Sequence, residues 1–131
     1  MLDTNILISA GLFYSSRLAE LTKRITNSYT IVLSNQILEE FQTVMEQKFP
    51  HKKKIFENFL KELNYETVMT PLEIDLEIYP KIRDKKDYPI LASAILADVD
   101  VFITGDKDFS VVDIKKPRIM TIEEFALEYF C

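Results

Sequence analysis

The chain of 131 residues is expected to fold as an α/β protein on a parallel sheet. Two observations predict this. Short apolar, often β-branched runs alternate with longer stripes of helical period, and turn or capping residues bound each run. The strand-length runs are residues 29–33, 67–69, 101–104 and 118–120. Strands alternating with helices imply right-handed crossovers and a sheet covered on both faces.

The helices follow in order. Met1-Leu2 leads into Asp3-Thr4-Asn5 and an apolar, helix-like run, Ile6-Leu7-Ile8. Ser16 precedes Leu18, Leu21 and Ile25, and Ile37, Leu38, Phe41, Val44 and Met45 form a second stripe. Pro50 stands where a first helical residue belongs, ahead of Ile55, Phe56, Phe59, Leu60 and Leu63. A further helix spans about residues 87–97, and Thr121-Ile122-Glu123-Glu124 reads as a capping box opening a last one through Phe125 and Tyr129. The aromatic residues Phe41, Phe56, Phe59, Phe125 and Tyr129 are expected in the core. Phe13 and Tyr14 after the opening motif are expected to make a helix-end apolar contact, with stacking on a base the other reading.

Composition narrows the function. With 47% hydrophobic residues the chain can bury a core, and two glycines and five prolines exclude linker-like or low-complexity readings. Sixteen basic against 21 acidic residues give a net charge of −5, so no global basic field attracts nucleic acid or an anionic membrane. One cysteine, Cys131, excludes an internal disulfide and a cysteine-based metal site. No apolar run reaches the roughly 18 residues of a membrane helix, and no basic segment leads an apolar one at the start. One domain over residues 1–131, in the cytoplasm and without a membrane partner, is the expectation.

In open parallel sheets ligands bind beyond the carboxyl ends of the strands. Carboxylates stand at those places here. Asp3 follows Met1-Leu2, Glu40 lies six residues after Ser34, Asp84 and Asp87 flank the polar turn before a helix, and Asp106 and Asp108 follow residues 101–104. Singly, each has an ordinary structural role available: Asp87 is placed to cap a helix, Asp3 to start a turn, Glu40 to be solvated. Together they are costly, since two unit charges about 4 Å apart repel by roughly 4 kcal/mol at an effective dielectric near 20. Protonation or a bound cation relieves this. Carboxylate oxygens suit Mg²⁺ or Mn²⁺, and a single histidine with no usable cysteine disfavours zinc.

These residues resemble the PIN-domain family of metal-dependent ribonucleases. The resemblance lies in four separated motifs: Leu2-Asp3-Thr4-Asn5-Ile6-Leu7-Ile8-Ser9-Ala10, Leu33-Ser34-Asn35-Gln36-Ile37-Leu38-Glu39-Glu40-Phe41, the stretch from Arg83-Asp84-Lys85-Lys86-Asp87 to Ala94, and Val101-Phe102-Ile103-Thr104-Gly105-Asp106-Lys107-Asp108-Phe109. It implies a three-layer α/β/α sandwich around a parallel sheet. It also implies Mg²⁺- or Mn²⁺-dependent hydrolysis of RNA phosphodiesters by a water that the cation activates. Carried over residue by residue, Asp3, Glu40, Asp87 and Asp106 are the catalytic and metal-binding quartet, with Asp108 a fifth metal ligand. Thr4, Asn5 and Thr104 match supporting polar positions. The small size and the Arg83-Asp84-x-x-Asp87 and Thr104-Gly105-Asp106-x-Asp108 wording are similar to VapC-type toxins. That similarity implies an antitoxin protein as a partner besides the RNA, and an exposed remainder of the apolar stripes suits either a homodimer or the amphipathic helix of an antitoxin.

Two departures qualify the likeness. Tyr88 stands where relatives of this subgroup carry Asp or Asn, and only two residues precede Asp3, so the first strand is expected to be very short. A catalytically degenerate domain that binds RNA or protein is therefore the alternative. A phosphatase of the haloacid-dehalogenase kind needs a second Asp two positions after the first, where this chain has Asn5. Away from the acids, Lys52, Lys53 and Lys54 form a basic run, read either as an RNA-phosphate contact or as a solvated helix face. His51 beside them is read as a surface residue.

Overall fold

The computed structural model describes residues 1–13, 15–72 and 87–130. Among them are six α-helices and four short strands, in keeping with the α/β sandwich expected. The helices are α1 (Thr4–Leu12), α2 (Arg17–Ser28), α3 (Asn35–Lys48), α4 (Lys53–Glu62), α5 (Tyr88–Leu96) and α6 (Ile122–Tyr129). The strands are β1 (Ile31–Ser34), β2 (Tyr65–Val68), β3 (Val101–Ile103) and β4 (Arg118–Met120).

Capping chemistry sets where the helices begin. The side chains of Asp3, Ser16, Ser34 and Thr121 accept backbone N–H groups of α1, α2, α3 and α6, and Thr121 with Glu124 completes the reciprocal capping box. Ser34 is both the last residue of β1 and the cap of α3, so strand passes to helix without a loop. That junction fixes the position of Glu40, one and a half turns further on. Pro50 opens a 3₁₀ turn (Pro50–Lys52) rather than α4 itself, which starts at Lys53. Strand edges shift by one or two residues from those expected.

All strand pairing is parallel. β1 pairs β2 with Ile31 opposite Tyr65, and β3 pairs β4 with Val101 opposite Arg118. The chain start runs alongside β3: Leu2 bridges Ile103, the Ile103 N–H donates to Met1 O at 2.8 Å, and the Asp3 N–H donates to Ile103 O at 3.0 Å. The first strand is thus as short as expected, a single bridge before α1 begins. Its effect is to bring Asp3 to the end of β3, beside Thr104.

The core lies between these layers, with Leu7, Leu33, Ile37, Leu91 and Phe102 wholly buried. In α3, Ile37, Phe41 and Met45 recur one turn apart and are buried, which turns the neighbouring Glu40 away from the core. Phe56 of α4 meets Phe41 edge-to-face at 5.3 Å. Gly11 allows this approach: a Cβ there would stand 2.9 Å from the Phe56 ring. One aromatic expectation is corrected: Tyr129 stacks on Phe125 at 4.5 Å yet stays 37% exposed, because α6 ends there. Phe13 is the C-cap of α1 and is 61% exposed. Tyr14, Arg83, Asp84 and Cys131 lie outside the described residues.

Candidate metal centre

The quartet Asp3, Glu40, Asp87 and Asp106 lines one cleft of about 510 Å³, together with Thr4, Asn5, Ile8, Gln36, Glu39, Thr43, Val44 and Ile90. Four separate segments supply it: the start of α1, the first half of α3, the start of α5 and the turn after β3. Asp3 and Asp106 stand beside the end of β3, Glu40 follows the end of β1 on α3, and Asp87 stands just before α5.

Asp3 is buried, and its two oxygens are both held. Oδ1 accepts the Thr4 N–H at 2.7 Å and Oδ2 accepts the Thr104 hydroxyl at 2.8 Å. Thr4 and Thr104 each touch a second acid as well. The Thr4 hydroxyl donates to Glu40 Oε2 at 2.8 Å, while Thr104 Oγ1 accepts the Asp106 N–H at 3.0 Å. Asp106 Oδ1 in turn accepts the Asp108 N–H at 2.8 Å, opening a 3₁₀ turn (Lys107–Val111). One hydrogen-bonded chain therefore runs Glu40–Thr4–Asp3–Thr104–Asp106–Asp108 across the cleft.

Carboxylate oxygens of Asp87, Asp106 and Asp108, one from each, lie within 4.8 Å of one another. Asp87 precedes α5 but makes no side-chain capping bond to it, and its Oδ2 is buried. The capping role open to Asp87 in the sequence is therefore not the one its side chain takes. The tightest grouping joins Asp108 with Asp87 and Asp106, and Asp3 reaches it through Thr104.

Burial holds the Asp3 carboxyl above its ordinary range, the Thr104 and Thr4 donors pull it back, and the negative charges of Asp106 and Glu40 raise it again. The donor set consists of hard carboxylate oxygens with hydroxyls behind them, which fits Mg²⁺ or Mn²⁺ and offers neither imidazole nor thiolate.

Of the supporting residues, Thr4 and Thr104 brace the acids, while Asn5 is exposed at the cleft wall. Gln36 was not singled out by the sequence reading, yet its Nε2 donates to Glu40 Oε1 at 3.1 Å. The signal available was its place one helical turn before Glu40. Lys52, Lys53 and Lys54 are not among the residues lining the cleft. They follow α3, whose last residue, Lys48, lies about 12 Å along the helix axis from Glu40. Lys116 and Arg118 are engaged locally: Lys116 pairs with Asp98 at 3.1 Å, and Arg118 pairs with Glu128. His51 is exposed, as expected.

Fold and cleft together define a class: an α/β protein of parallel strands, paired as β1–β2 and β3–β4, with a cleft of acidic residues that could hold a metal ion. The sequence profile of the PIN domain matches residues 1–108, and the chain belongs to the PIN-domain family. Nucleases of this family depend in general on divalent metal and act on RNA. A comparison with curated proteins returns no match. No described helix is long and apolar enough to cross a membrane.

Proposed function

We propose that the chain is a single-domain, Mg²⁺- or Mn²⁺-dependent endoribonuclease of the cytoplasm and the toxin component of a toxin–antitoxin pair. Its proposed partners are an RNA substrate, an antitoxin protein and a second copy of itself. The observation that carries the nuclease reading is the convergence of Asp3, Glu40, Asp87 and Asp106 on one cleft, braced by Thr4 and Thr104. The toxin assignment rests on the motif wording around Asp87 and Asp106.

In this reading Asp87, Asp106 and Asp108 form the principal cation-binding group, with Asp3 and Glu40 completing it. A divalent cation, when bound, supplies positive charge against the negative charge that builds on a phosphodiester and acidifies water. The protein's own part is orientation. Thr104 and Thr4 hold Asp3 at both oxygens, so its carboxylate does not reorganise as charge develops. Glu40 keeps a second lone pair on each oxygen after accepting from Thr4 and Gln36, and so can accept from a water in the cleft. Thr43, Val44, Ile8 and Ile90 complete the wall around these groups. Lys52, Lys53 and Lys54 are proposed as sequence-blind contacts to flanking phosphates.

The test is cleavage of a mixed RNA pool by purified protein with Mn²⁺ or Mg²⁺, with chelator, and as the Asp3→Asn and Asp87→Asn variants. Cleavage that needs the cation and is lost in both variants is expected. Cleavage of equal rate in the variants, or none by the wild-type protein with either cation, overturns the reading.

A further inference from the structure

Glu40 is held at both oxygens by two different elements. The Thr4 hydroxyl of α1 reaches Oε2 at 2.8 Å, and the Gln36 amide, one turn earlier on α3, reaches Oε1 at 3.1 Å. A carboxylate only accepts, so the amide must present its nitrogen to Glu40. Gln36 is itself fixed at the backbone. Its N–H donates to Thr70 Oγ1 at 3.4 Å, and the Thr70 N–H donates to Asn35 Oδ1 at 2.6 Å, clasping the first turn of α3 to the segment after β2. From these contacts we infer that Gln36 is a positioning residue: it sets the plane of the Glu40 carboxylate and so the affinity of the cleft for a divalent cation. The inference rests on the cation reading given above.

The same helix contains a control for it. Gln42 donates its Nε2 to Glu46 Oε1 at 3.1 Å, with the same spacing and the same atoms, but on the exposed face and away from the cleft. If Gln36 served only the helix, removing either amide would have the same consequence, since both pairs are i,i+4 contacts. If Gln36 positions Glu40, only its removal alters cation binding. Partners that orient ligating groups typically change metal affinity by about 10- to 100-fold when removed.

The experiment is titration of metal-free protein with Mn²⁺, followed by the electron paramagnetic resonance signal of the free ion. Wild type, Gln36→Met, Gln42→Met and Glu40→Gln are compared, with thermal unfolding of each in chelator. The expected result is Mn²⁺ affinity at least about tenfold weaker in Gln36→Met. Gln42→Met should match wild type within about twofold, and the two glutamine variants should unfold at similar temperatures. Should Gln36→Met not fold, Gln36→Ala, a strong helix former, repeats the measurement. Equal Mn²⁺ affinity in the Gln36 and Gln42 variants, in a protein whose wild type binds and whose Glu40→Gln variant binds less, overturns the role of Gln36 alone. Absence of Mn²⁺ binding by wild type, or binding indifferent to Glu40→Gln, overturns the cation reading itself and this inference with it.

Discussion

Replacing Thr104 by valine tests the bracing of the acids most directly. The side chains have nearly the same shape, so the buried site keeps its packing and loses one hydroxyl. That hydroxyl donates to Asp3 Oδ2 at 2.8 Å, and its oxygen accepts the Asp106 N–H at 3.0 Å. A hydrogen bond to a charged group contributes about 1.5–3 kcal/mol, and the Asp106 N–H also loses its acceptor. A loss of about 2 kcal/mol corresponds to a fall in Tm of about 7 °C for a chain of this length. Thr104→Ser keeps the hydroxyl and loses one methyl group, a change of about 1 kcal/mol. Urea unfolding of the three proteins in chelator at pH 7 should rank wild type, then serine, then valine. The deficit of the valine variant should shrink on acidification, because Thr104 favours the ionised form of Asp3 and that form disappears below its raised pKa. A valine variant as stable as the serine variant at pH 7 would refute the claim that Thr104 holds a charged carboxylate.

The remaining expectations concern charge. The Asp3 carboxyl titrates above its unfolded value in the native state, so the folded protein binds this proton more tightly than the unfolded chain. Its contribution to stability is therefore fully present at acid pH and falls as pH rises through the raised pKa. Asp3→Asn should remove that slope and be more stable than wild type at pH 7 without metal, converging with it on acidification; parallel stability curves from unfolding at several pH values would contradict this. For the basic run, Lys52, Lys53 and Lys54 changed together to Ser should lower the salt slope of RNA binding by up to about 2, from about 0.7 per phosphate contact on single strands. An unchanged slope in filter binding would return the run to the solvated helix face.

Much of the framework was legible because local chemistry decided it. Thr121 reads as part of a capping box and acts as one, Ser16 ahead of its apolar stripe caps α2, and the Ile37, Phe41, Met45 stripe is the buried face of α3. The strand-end acids were legible for the same reason, since short strands passing straight into helices leave few other places for a polar residue to stand. What could not be read was pairing across the chain. The link between Thr104 and Asp3 spans 101 residues, and that between Thr4 and Glu40 spans 36. Asp108 joins Asp87 and Asp106 only because Asp106 turns the backbone back on itself. Lys116 and Arg118 stand close together in the sequence, but only the fold shows that Asp98, Asp100 and Glu128 are their partners. Tyr129 followed the helical period of a core residue, but the period does not reveal where a helix runs out of protein to pack against.

The choice of donors around the acids bears on what the cleft can do. Among the described residues, Asp3 and Glu40 are held by hydroxyl, amide and backbone N–H groups rather than by arginine or lysine. A guanidinium would fix a carboxylate equally well and stabilise the fold more, but it would cancel the charge that attracts a divalent ion. Neutral donors separate the two tasks: they fix where the oxygens point and leave the negative potential in place. The Asp3 carboxyl lies above its ordinary range chiefly because it is buried, and the charges of Asp106 and Glu40 add to this. In the proposed cation reading, a bound ion would relieve the repulsion among these acids, so stability and affinity for the ion would be coupled. The hydroxyls of Thr4 and Thr104 matter because each holds one acid while touching the segment that carries the next. Geometry is thereby transmitted between elements that share no strand ladder.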